Sequence, residues 1–222
     1  MAYLNNPYLK PRMNFVLDIE TIPIVTDEIR AEVASSIVMP GNISRPDTVQ
    51  LWETTRKPEL IEAELARGGL FAERGRVLTF TYAINDEEPV CIYDQDERKL
   101  LETALGVIAQ AEVVIGHNVV AYDLQFIRQR CWANGLPVPR KPFRSKPWDE
   151  GIFDTMLAWS PDRDRRISLD KLCRVLGVES PKASGFTGAD VWPAYQAGKI
   201  DQIVEYALAD VVATRECWKR MQ

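Results

Sequence analysis

The chain has 222 residues, 46% of them hydrophobic, with a formal net charge of −5; that length buries a sizeable core, and one domain over 1–222 is the expectation. No apolar run approaches the ~18 residues of a membrane span and no charged-then-apolar signal opens the sequence, so a cytoplasmic setting with no membrane partner is expected. The four cysteines, Cys91, Cys131, Cys173 and Cys217, form no C-x-x-C pair, which argues against zinc and against a disulfide scaffold and reads as core thiols. The acidic balance counts against a uniformly basic nucleic-acid-binding surface. Acids that hold cations would be neutralised locally, however, and an enzyme gripping a few terminal nucleotides needs only a local basic rim.

In chain order, FVLDIE (15–20) is a first strand. Pro23, Pro40-Gly41-Asn42 and Gly68-Gly69 then punctuate two helices, near 27–38 and 58–67, which read as a helical insertion at about 23–75. RVLTFTYAI (76–84) and PVCIYD (89–94) read as strands of a hairpin joined by the polar NDEE turn. Asp96 begins an amphipathic helix through about Ala111, VVIG (113–116) is a fourth strand, and a helix from about Tyr122 to Asn134 is ended by Gly135 and Pro137. A fifth strand is expected near 152–157, Ser168 caps a helix to Gly177, and Asp201 caps the final helix. No internal repeat or low-complexity segment is present. A meander followed by alternating helices and strands gives an α/β layer fold with a mixed sheet.

Three acidic segments carry the chemistry: FVLDIET (15–21), GHNVVAYD (116–123) and YALAD (206–210). Asp18 and Glu20 are two apart on a strand and leave the same face. Tyr206 and Asp210 are four apart on a helix and lie one above the other. Buried carboxylates side by side are tolerable only where cations, donors or water offset them, and hard oxygen ligands suit Mg²⁺ or Mn²⁺. With Asp123, four carboxylates could hold two ions roughly 3.5 to 4 Å apart, the arrangement suited to in-line displacement at a phosphodiester.

The set resembles the DEDD superfamily of 3′-5′ exonucleases, tyrosine subtype, and especially stand-alone relatives of the exonuclease domain of family B DNA polymerases. Asp18 and Glu20 fit its D-x-E, Asn118 with Tyr122 and Asp123 its N-x3-[FY]-D, and Tyr206 with Asp210 its Y-x3-D. The resemblance implies a ribonuclease-H-like α/β fold: five strands, the second antiparallel to the rest, flanked by helices, with the carboxylates at the carboxyl-end edge of the first strand. It also implies a metal-dependent 3′-5′ exonuclease acting on the 3′ end of single-stranded nucleic acid, DNA ahead of RNA. In that scheme Asp18 serves both metals, and Glu20 and Asp210 complete the site of the ion carrying the attacking water. Asp123 supports the second ion directly or through water, and Tyr206 orients the water.

Thr21, His117, Asn118, Lys182 and Phe186 are the candidate substrate contacts. His117, the only histidine, is given a chiefly structural role, because the histidine subtype places its base five residues before the last aspartate, where Glu205 stands here. Asn118 is a backbone or substrate hydrogen-bonder. The SPKASGFTG segment (180–188), with Lys182 and Phe186, has the composition of a flap over a strand end. Two basic stretches, Arg140, Lys141, Arg144 and Lys146, and Arg163, Arg165 and Arg166, are candidates for phosphate contact, with a solvated loop as the commoner explanation. Asp154 is read as a strand-end capper. Two alternatives stand beside the exonuclease on DNA: a 3′-5′ exoribonuclease, since no feature reports on a 2′-hydroxyl, and a catalytically silent nucleic-acid-binding module.

Overall fold

The structure, a computed structural model, describes residues 13–143, 150–161 and 166–222. Apolar side chains leave both faces of β1 (Asn14–Pro23), which makes it a central strand: Leu17 and Ile19 enter one core, Val16 and Ile22 two smaller ones. Its neighbours are β2 (Gly75–Ile84), antiparallel, and β4 (Val113–Gly116), parallel. β3 (Val90–Tyr93) pairs antiparallel with β2, and β5 (Ile152–Asp154) pairs parallel with β4, giving the order β3-β2-β1-β4-β5. Only β2 runs against the other four, as expected.

One face of the sheet is covered by α4 (Glu97–Ile108) and α5 (Asp123–Ala133), whose Leu100, Leu101, Phe126 and Ile127 pack with Leu17, Ile19 and Phe80. The other face lies under α9 (Ile200–Arg220) and α8 (Val191–Gln196), with Ile203, Tyr206 and Val211 against Ile22 and Val16. α7 (Leu169–Leu176) backs α9, bringing the buried Cys173 and Cys217 together. The two helical layers are tied to the sheet by polar joints as well. Glu97 accepts the Val77 N–H at 2.8 Å and a two-pronged contact from Arg130, whose third donor reaches the Ala72 carbonyl. A charge this buried is tolerated because each carboxylate oxygen has donors.

Asp96 and Ser168 cap α4 and α7 as their sequence contexts suggest, accepting the N–H groups of Arg98 and Lys171 respectively. Three expectations are corrected. The fifth strand ends at Asp154 instead of 157, because the Asp154 carboxylate captures the Met156 and Leu157 N–H groups and starts α6 (Thr155–Trp159). Local capping outweighs the β-branched, aromatic character of IFDT. The final helix begins at Ile200, with Lys199 at the cap position and Asp201 inside the first turn, where its charge complements the helix dipole without capping.

The third correction concerns the connection from β1 to β2. Besides α1 (Asp27–Ser36) and α3 (Lys57–Arg67) it holds α2 (Pro46–Leu51), joined to α3 by a widened turn at Trp52–Arg56. The Lys57 N–H reaches back five residues to Trp52, and Pro58, which has no N–H to give, follows in the same helical run. α8 is a further helix that the sequence pattern does not announce. No helix among the described residues is long and apolar enough to cross a membrane.

Candidate active site

β4 accompanies β1 only as far as Val16. Gly116 ends β4 so close to the turn that follows that a methyl group there would meet the Val119 side chain at 2.5 Å and the Leu17 carbonyl at 3.2 Å. The turn carries Asn118 at φ +64° and delivers α5. Beyond the end of the β4 pairing, the Ile19 N–H is taken by Asp123 Oδ1 at 3.1 Å. A side chain from the first turn of α5 thus replaces a strand as partner to β1, and holds its carboxylate beside Asp18.

Asp18 and Glu20 leave β1 on the side covered by α9, and α9 brings Tyr206 and Asp210 over them. Asp18, Glu20 and Asp210 each offer an oxygen within 4.8 Å of the others. Asp123 stands outside this trio, yet among neighbouring charges it acts most strongly on Asp18. Glu20 and Asp123 are buried, and Asp18 Oδ2 is enclosed with no hydrogen-bond donor among the described residues. Such an atom costs free energy unless something positive meets it. All four are hard oxygen donors, and the enclosed Oδ2 fits a divalent cation such as Mg²⁺ or Mn²⁺.

The electrostatics express the same crowding. Burial first, then Asp123, Glu20 and Asp210, hold the Asp18 carboxyl well above the usual carboxylate range. Burial and then Asp210 do the same to Glu20. Burial lifts Asp123 to about 7, and it lifts Asp210 to about 6 against the pull of the Tyr206 hydroxyl and Lys182. The Tyr206 phenol, hydrogen-bonded to Asp210, is pushed far up by burial and by the carboxylates, so it stays protonated at neutral pH.

The other candidate residues divide in two. Lys182 and Phe186, from the segment after α7, do come to the site: Lys182 is close enough to act on Asp210, and the Phe186 ring packs on Tyr206 with centroids 5.2 Å apart. Thr21, His117 and Asn118 are engaged inside the protein. The Thr21 hydroxyl donates to the Gly69 carbonyl at 2.7 Å and therefore receives the Tyr122 hydroxyl, 2.8 Å away. This joint ties the end of the β1–β2 connection to the residue before Asp123, where the β1 register shifts between Glu20 and Thr21. His117 is pushed down by burial and is neutral. Its Nε2 donates to the Ile167 carbonyl at 3.0 Å and its Nδ1 accepts from Thr155 at 2.9 Å. The backbone N–H of Asn118 goes to Asp154. Of the basic stretches, Arg144, Lys146, Arg163 and Arg165 lie outside the described residues.

Asp154 is more than an end-capper. Fully buried, its carboxylate accepts four backbone N–H groups: Asn118 at 3.0 Å, Val120 at 3.1 Å, Met156 at 3.0 Å and Leu157 at 3.3 Å. It therefore sets the turn that aims Asp123. Asp154→Ala leaves those donors orphaned and is expected to cost about 2–4 kcal/mol. Urea unfolding measures this, and a change within about 0.5 kcal/mol would show that the turn holds without it.

Cys91 corrects the reading of all four cysteines as core. Only Cys131, Cys173 and Cys217 are buried; Cys91 is half-buried on β3. Register pairs it with Thr81 and Thr81 with Asp18, so the three share one face, and the thiol acts on Asp18. Thr79, opposite Glu20, belongs to the same row. Alternation within the 76–84 and 89–94 strands holds this signal, but it emerges only once the pairing register is known.

Residues 88–222 match a protein-family model described as a predicted 3′-5′ exonuclease related to the exonuclease domain of PolB. Among curated proteins no significant match is found. Among solved structures, the family B DNA polymerase from the hyperthermophilic archaeon Pyrobaculum calidifontis is similar, with a TM-score of 0.58 at 15% sequence identity. The match covers 97% of this chain and 25% of the polymerase. At that identity the likeness concerns the fold, and this chain spans a quarter of the polymerase's length.

Proposed function

Because this chain belongs to the family of predicted 3′-5′ exonucleases related to the PolB exonuclease domain, we propose that it is a divalent-metal-dependent exonuclease of the tyrosine subtype that removes nucleotides from the 3′ end of single-stranded DNA. The single observation that carries the metal site is the enclosed, donor-less Asp18 Oδ2 among carboxylate oxygens within 4.8 Å. Asp18, Glu20 and Asp210 would hold Mg²⁺ or Mn²⁺, two ions with Asp123 completing the set; bound there, the metals supply charge for the phosphodiester and an acidified water.

Each side chain has its own task in this reading. Tyr206, protonated and tied to Asp210, orients the attacking water as a hydrogen-bonding group and not as a base. His117 has both ring nitrogens engaged, which favours Tyr206 for that task. Lys182, close to Asp210, would meet substrate phosphate, and Phe186, packed on the Tyr206 ring, would keep it in position while offering surface to a base. We further propose that the chain is one exonuclease domain in which 23–75 is an insertion, anchored at Thr21 and Gly69.

Matched 5′-labelled DNA and RNA oligomers, with a circular single-stranded DNA beside them, test the substrate. Stepwise shortening of linear DNA from its 3′ end in Mn²⁺, slower on RNA and absent on circles, is expected. Faster decay of the RNA would make this an exoribonuclease, and cutting of circles an endonuclease.

A further inference from the structure

Beyond the Asn118–Tyr122 turn lies a cavity of about 420 Å³ between α5 and α6, outside the carboxylate site. Its polar lining is Asn118, Gln125, Arg128, Ser160 and Arg166, with no acidic residue among the described residues that wall it. That is unusual on a chain of net charge −5. Arg128 spends one donor on the Phe143 carbonyl at 2.9 Å and lays its guanidinium over the exposed Trp132 ring, 5.3 Å from the centroid. Its buried Nε–H has no partner among the described residues. Neither Arg128 nor Arg166 has an ion pair with a described residue. Two arginines without counter-charge, beside amides and a hydroxyl, form a site for a tetrahedral anion held by several donors at once.

The position selects which anion. Asp123 opens α5 and Arg128 lies five residues further along, about 7.5 Å down the helix axis. Asn118 belongs to both the cavity wall and the turn that aims Asp123. A strand whose 3′ end is seated at the carboxylates can continue only in its 5′ direction. We propose that this cavity is a phosphate-binding subsite in which Arg128 and Arg166 hold a backbone phosphate of the substrate strand, on the 5′ side of the bond that is cut. The identity of the strand rests on the exonuclease reading; the phosphate contact rests on the cavity.

The test compares a dinucleotide, whose only phosphodiester is the one cut, with a dodecamer. Arg128→Gln and Arg166→Gln are each expected to raise KM for the dodecamer about tenfold with kcat within about twofold, and to leave dinucleotide cleavage unchanged. Dodecamer binding in chelator, read by fluorescence anisotropy, should weaken equally, with the slope of log affinity against log salt falling by about 0.7 for each phosphate that is no longer neutralised. Arg128→Lys should recover part of the loss. Unchanged dodecamer KM and affinity, or equal losses on both substrates, would overturn the subsite. Arg166 is exposed, so its variant decides the matter even if Arg128→Gln folds poorly. A wild-type protein that binds the dodecamer with this arginine and salt dependence, yet cleaves nothing in Mn²⁺, would remove the exonuclease reading and leave the phosphate subsite standing.

Discussion

Asp18→Asn is expected to abolish metal-dependent hydrolysis and, in metal-free protein at pH 8, to raise the melting temperature. The two effects have one cause. Burial and mutual repulsion raise the carboxyls of Asp18, Glu20, Asp123 and Asp210 above their ordinary values, the last two to about 7 and about 6. A group whose folded pKa is raised favours the folded state while it is protonated, and that contribution disappears as pH rises through the folded value. Without metal, stability should therefore fall between roughly pH 4 and pH 7. A tenfold change in a carboxyl's acidity between the unfolded and folded chain corresponds to about 1.4 kcal/mol, and the four groups titrate as a set, so the loss is on the order of a few kcal/mol.

Asparagine at position 18 removes one buried charge and relieves the other three, hence the gain at pH 8 and little gain at pH 5. Mn²⁺ should stabilise the wild type at pH 8 far more than the variant, since cations that bind only the folded chain add to its stability. Thermal melts at both pH values, with chelator and with Mn²⁺, check this. A variant that melts lower than wild type at pH 8 in chelator would mean that Asp18 has a cationic or donor partner within the protein.

Tyr206→Phe should separate water positioning from metal binding. The ring packs against Phe186, Ile22 and Ile203, neighbours that phenylalanine keeps, while the hydroxyl on Asp210 is removed. Losing one positioning group in a water-attack reaction costs about 10²–10⁴ in rate. The Asp210 carboxyl, relieved of the hydroxyl that lowers it, should rise further, shifting the acid limb of the pH–rate profile to higher pH. Mn²⁺-induced stabilisation should persist, unlike that of Asp18→Asn. Single-turnover rates across pH at saturating Mn²⁺ give the answer, and a wild-type rate would reduce the phenol to packing.

The elements that periodicity specifies were legible in the sequence. A two-residue step placed Asp18 and Glu20 on one face, a four-residue step put Tyr206 over Asp210, and the polar NDEE turn implied the hairpin of the second and third strands, while the direction of the second strand against the rest followed from the family resemblance. These are local relations that survive folding. Features set by tertiary partners were not legible. Asp154 ends its strand by capping Met156 and Leu157, but the same carboxylate also holds the N–H groups of Asn118 and Val120, on a turn 34 to 36 residues earlier in the chain. Asp123 reaches the site by completing the hydrogen bonding of Ile19, a relation 104 residues long. Cys91 faces Asp18 only through two successive strand registers. The widened turn at Trp52–Arg56, which joins α2 to α3, lies before the second of the two expected helices and has no counterpart in their pattern.

The most direct measurement of the central claim is a time course of 5′-labelled, linear single-stranded DNA with wild-type protein in Mn²⁺, with a chelator-treated reaction and Asp18→Asn beside it. A ladder shortening one nucleotide at a time from the 3′ end, absent in both controls, is the expected result. Intact substrate in Mn²⁺ and in Mg²⁺, or equal degradation by Asp18→Asn, would contradict it.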